Sequence, residues 1–187
     1  MNELWSAAFG AVLGASFSVG LWWLDRIRQR KIARISLATD LRHWVNRTLS
    51  QMYDMRNYDS SDGNLGTLYS ELSEFRFEKS LDRVASIDYP TAMKILRLVR
   101  QKDDANDAIA FQADVGDQED GMNFWRGHAA ECGLKALKLY NRLATQLGWS
   151  EKIVTDESKK LIQDEVDEFR KREKERKKTN AEFLEGT

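Results

Sequence analysis

The chain has one cysteine, one proline and two histidines, and each scarcity removes a class of chemistry. A lone Cys132 excludes an internal disulfide and fits a reducing compartment. His128 stands four residues before Cys132 with Glu131 alongside, but a zinc centre needs three or four such ligands and His43 is the sole other histidine. Phosphate-cradling glycine runs are missing, and no G-x-S-x-G elbow lies outside residues 4–24. Charge of one sign is missing as well, since 29 basic side chains meet 30 acidic ones. A balance of that kind gives no footprint for nucleic acid. The acidic clusters Asp103, Asp104, Asp107 and Asp114, Asp117, Glu119, Asp120 lack the alternating ligands of a calcium loop and read as solvated surface. No catalytic, cofactor or metal residue is assigned, and a non-enzymatic protein is expected.

What is present begins with an uncharged run from Leu4 to Leu24, fenced by Glu3 and by Asp25-Arg26. Twenty-one residues at about 1.5 Å of rise make a helix of roughly 31 Å, the thickness of a bilayer's hydrocarbon core. Eleven of them are Leu, Val, Phe or Trp, and ten are Ala, Gly or Ser. Trp22 and Trp23 stand where indole rings prefer the headgroup region. Arg26, Arg28, Arg30, Lys31 and Arg34 follow, against a basic-free Met1-Asn2-Glu3. The positive-inside rule then predicts one spanning helix with its N-terminus outside and the rest of the chain in the cytoplasm. Within the run Gly10, Gly14 and Ser18 recur every fourth residue, a flat stripe on which a second helix can pack. Homo-oligomerisation through the membrane is expected from it.

Beyond the run, apolar residues recur at three- and four-residue spacing and Pro90 is the single proline, so the fold class is all-α. The expected architecture is a transmembrane helix over 1–25, a cytoplasmic bundle of about four to five helices over 26–169, and a charged tail over 170–187. No Gly or Pro falls between Gly20 and Gly63, so the anchor continues into the first bundle helix, ending near Asn57. Its inward stripe is Leu37, Leu41, Trp44, Thr48, Met52 and Met55. A second helix is predicted over Leu65 to Ile87 using Leu68, Leu72, Phe75, Val84 and Ile87, with a weak point at the alternating Phe75-Arg76-Phe77. A third starts at Asp88 and Pro90 and reaches about Val115. After a turn at Gly116 to Gly121, Trp125, Ala129, Cys132, Ala136, Leu139, Leu143 and Leu147 form a bundle seam closed by Gly148. A last helix starts at Thr155 and buries Leu161, Ile162, Val166 and Phe169. From Arg170 to Lys178 every residue is charged, with nearly balanced signs and i,i+4 pairs such as Glu168/Arg172.

The plan looks like that of many small bacterial inner-membrane proteins, a resemblance confined to the first forty residues that carries no functional residue over. The anchor, taken with the absence of catalytic and ligand-binding motifs, points to a single-pass protein of the inner membrane, acting as an interaction or scaffold module at the cytoplasmic face. Its partners would be the lipid bilayer, a second copy of itself and another protein of unspecified identity. Arg26, Arg28, Arg30, Lys31, Trp22 and Trp23 would set topology and meet lipid headgroups. The alternative is a membrane-acting effector of a toxin or phage-defence system, oligomerising through the same stripe.

Overall fold

The computed structural model describes residues 2–77, 84–116, 118–150 and 153–185, with the side chains of 2–13, 118–119, 180 and 183–185 outside the described set. Among the described residues the regular structure is all helix, without strands. Four helices run α1 (Asn2–Ser60), α2 (Tyr89–Val115), α3 (Gln118–Leu147) and α4 (Asp156–Glu185). Each start and stop has a local cause. Asp88 caps α2 by accepting the Thr91 N–H at 3.1 Å, and Pro90 sits in the first turn, where no donor is needed. Gly148 ends α3 with φ of 71°, its N–H on the Thr145 carbonyl and that of Trp149 on the Ala144 carbonyl, a Schellman closure. Thr155 caps α4 by accepting the Ser158 N–H at 3.1 Å. α1 crosses Asp25-Arg26 unbroken, and its 59 residues make a rod of about 88 Å.

Helix α3 is central and packs against each of the other three. Its seam from Trp125 to Leu143 is buried as the spacing predicts, with Leu147 half-buried at the end. It faces the α1 stripe, of which Leu37, Leu41, Trp44, Thr48, Met52 and Met55 are all buried. From α4, Ile162, Val166 and Phe169 reach the core. The Phe169 ring lies where a side chain on Gly127 would have to go, so α3 and α4 approach closely there. Arg126 ties three helices at this end, pairing with Glu165 of α4 and, at 3.5 Å, with Asp59 of α1. Beyond Phe169, α4 stays helical through the all-charged stretch, with Glu168–Arg172 and Glu173–Arg176 pairs along its surface.

The second helix expected over Leu65 to Ile87 is not formed in the described part of that span. Residues 64–75 run irregularly, 76–77 make a single tight turn, and 84–85 are helical. The reason is tertiary. Trp44 Nε1 donates to the Ser73 carbonyl at 2.7 Å, and Trp125 Nε1 to the Glu71 carbonyl at 3.0 Å. The Leu72 N–H donates to Asn106 Oδ1 at 2.7 Å. These side chains take backbone groups that a helix would have used itself, and two buried indoles gain acceptors they otherwise lack. The irregular path buries Phe75 and Phe77 together, two residues apart, in a stack with Trp44. Leu68, expected inside, is 43% exposed.

The Asp88 cap yields a pH-dependent prediction. Burial alone would raise its carboxyl, but hydrogen bonds from Thr91 and the Arg34 guanidinium outweigh that and hold it below its ordinary 3.8. A depressed carboxylate stabilises the fold above that ordinary value and loses its contribution as pH falls through the folded one. Asp88→Ala is expected to cost about 1 kcal/mol. The gap to wild type in thermal midpoint should stay constant from neutral pH to about pH 4 and close in stronger acid. A gap unchanged at pH 2 would remove the carboxylate from the account.

Candidate functional site

From Gly14 to Ile32 every residue of α1 is exposed, and Ala33 is the first to be buried. This leaves Phe17 71% exposed and Trp22 and Trp23 each 59%, in line with Val19, Leu21 and Leu24. An exposed apolar stretch of this kind marks a surface for contact with another protein or a membrane. Among the described residues, no helix is long and apolar enough to cross a membrane. Much of the Leu4–Leu24 run, from Leu4 to Leu13, has side chains outside that set.

Gly10 of the predicted packing stripe falls there too. Gly14 and Ser18 do not, and they lie one turn apart on an open face. Nothing stands within 4 Å of the place a Gly14 side chain would take. Ser18 Oγ donates to the Gly14 carbonyl at 2.9 Å, so the hydroxyl is satisfied within its own helix and presents little polarity to a neighbour. Trp22 continues the same line one turn further on.

The collar residues Arg26, Arg28, Arg30 and Lys31 are exposed around α1. The Arg26 guanidinium lies over the Trp22 ring at 5.1 Å, joining an aromatic anchor to a cationic one. Gln29 donates to Asp25 at 2.7 Å and so holds the lone acid of this stretch. Arg34 departs from the expected collar role: half-buried, it turns to Asp88 at 3.7 Å. Ala85, Ser86 and Ile87 border a cavity of about 310 Å³ with Trp22, Arg26 and Arg30, so the base of the bundle abuts the collar.

A cavity of about 740 Å³ opens beside the irregular segment. Arg47, Arg76 and Lys102 face Glu71, Glu74 and Asp103 around it. With three charges of each sign it selects no ligand by charge. Lys102 is 3% exposed, and its ammonium meets Asp103 at 3.0 Å. That pairing lets a lysine sit inside the bundle wall.

His128 and Cys132 do share a helical face, and the surroundings decide their chemistry. Burial pushes the Cys132 thiol up to about 12, so it stays protonated at neutral pH and is no nucleophile. His128 sits between the Phe124 and Phe169 rings, each 4.9 Å away. Burial there lowers its pKa, against the pull of Glu131 and Glu173. The pair behaves as packing. No group of three His, Cys, Asp or Glu suited to a metal occurs among the described residues. Comparison with protein-family models, with curated proteins and with solved structures finds no match to this chain.

Proposed function

We propose that this chain is a single-pass, membrane-anchored helical module that self-associates through its anchor and holds its bundle at the cytoplasmic face to bind another protein. The observation that carries the reading is the exposed apolar stretch of α1 ending in Trp22, Trp23 and the Arg26–Lys31 collar. Burial of that surface in lipid removes a cost that water would impose on every one of its residues. The collar supports a cytoplasmic bundle, because basic residues flanking a span are retained on that side. A single α1 running from the apolar stretch into the core makes the bundle a rigid extension of the anchor. Such a geometry suits positioning of a partner. The reading assigns the chain no reaction.

The experiment is the size of the detergent-solubilised protein by light scattering, wild type beside Gly10→Leu/Gly14→Leu. A defined oligomer is expected for wild type and a monomer for the variant, since two leucines hold neighbouring backbones apart. A wild-type monomer would end the self-association part of the proposal. Protease digestion of right-side-out and inside-out vesicles tests orientation: the bundle should be cut in the inside-out preparation alone.

A further inference from the structure

The overall charge balance conceals a separation that the fold creates. From Tyr89 to Lys102 the first half of α2 has Lys94, Arg97, Arg100 and Lys102 and no acid. From Cys132 to Leu147 the second half of α3 has Lys135, Lys138 and Arg142, again with no acid. α3 runs back against α2, with Lys135 Nζ donating to Gln101 Oε1, so the two acid-free halves meet. Between them lies a cleft of about 340 Å³. Five exposed cations, Lys94, Arg97, Lys135, Lys138 and Arg142, surround it, and no carboxylate lines it. Its floor is apolar, made by the buried Leu98 and Leu139.

Such a cluster is unfavourable by itself. Lys94/Arg97, Lys135/Lys138 and Lys138/Arg142 are like charges at i,i+3 or i,i+4, each pair costing roughly 0.2–0.5 kcal/mol in helices. A bound polyanion turns that repulsion into attraction. Arg97 and Arg142 supply planar forks that match phosphate oxygens, and the lysines add point charges around them. The cleft volume lies in the range of small-molecule sites, roughly 300–1,000 Å³. We infer that the α2–α3 cleft binds a soluble small molecule bearing several phosphates.

A lipid headgroup offers the same chemistry, but distance disfavours it. Ile87 borders Arg30 and Asp88 pairs with Arg34, six and ten residues beyond Leu24, so α2 starts about 9–15 Å along α1, and Lys94 lies six residues beyond Asp88, about 9 Å further. With α1 upright and α2 running alongside it, the cleft begins about 18–24 Å from the apolar run, more than two Debye lengths at physiological salt. This choice of source rests on the membrane-anchor reading; the cleft and its charge do not.

The test is calorimetric titration of sodium tripolyphosphate into the full-length protein in nanodiscs of neutral lipid. Wild type is compared with Lys135→Gln/Lys138→Gln and with the collar variant Arg28→Gln/Arg30→Gln. Wild type and the collar variant should show one saturable site, and the cleft variant binding at least tenfold weaker. Without ligand, the cleft variant should melt about 1–3 °C higher than wild type, because repulsion has been relieved. Equal binding by the cleft variant, or loss in the collar variant, would overturn the proposal. So would a lower ligand-free midpoint repeated in Lys94→Gln/Arg97→Gln, since the charges would then be compensated within the fold. Tripolyphosphate failing to bind while anionic-lipid nanodiscs or a hexaglutamate peptide engage the cleft would reassign it to a headgroup or to an acidic protein segment.

Discussion

Trp125→Ala should destabilise the bundle by about 3–5 kcal/mol, a large part of the roughly 5–15 kcal/mol that holds a typical domain together. Trp125 is fully buried on α3, stacks on Tyr69 at 5.7 Å between centroids, and gives its N–H to the Glu71 carbonyl. Truncation opens a cavity the width of an indole and leaves that carbonyl without its donor. The irregular segment would lose one of the side chains that hold it, so damage should spread to the Phe75–Phe77 stack. Trp125→Phe is the informative companion. It keeps most of the packing and removes the hydrogen bond, at a smaller cost of about 1–3 kcal/mol. Urea titration followed by circular dichroism reads both. If the alanine variant loses less than 1 kcal/mol, the junction of α3 with residues 64–77 is not as described.

The second large effect concerns the proposed anchor. Ala15→Lys with Phe17→Lys should abolish membrane insertion altogether. A lysine near the centre of a span costs about 2.5–3.5 kcal/mol, so two cost roughly 6 kcal/mol. The proposed span has little reserve, because ten of its 21 positions are Ala, Gly or Ser. Both substituted residues are exposed on α1 and outside the bundle core, so helicity of residues 33–60 should be unchanged. The readout is the share of protein that resists alkaline carbonate extraction, near complete for wild type and near zero for the variant. Extraction of wild type itself would sink the anchor proposal, and retention of the variant would show that another part of the chain holds the membrane.

Much of this molecule is legible in its residues because helices encode their own packing. The α1 stripe, the α3 seam, the Asp88 and Thr155 caps and the Gly148 stop all depend on neighbours within four or five positions. So do the apolar run and its collar, the part of the candidate site that a reader of the sequence can find. His128 and Cys132 show the limit of spacing: the i,i+4 relation is real, yet burial rather than distance decides that the thiol stays protonated.

Residues 64–77 and the cationic cleft were decided by the tertiary structure. Apolar spacing over 65–87 suits a helix, and nothing local reveals that indoles from Trp44 and Trp125, with Asn106, will claim the backbone of Glu71, Leu72 and Ser73. Those partners lie 29, 54 and 34 residues away in the chain. The cleft follows the same logic. Its acid-free halves are visible in each helix separately, but a count over the whole chain cancels them, and they become one field when α3 folds back on α2. Periodicity and capping are local and are written in order along the chain; hydrogen-bond partners and summed charge come from segments that meet only in the folded state.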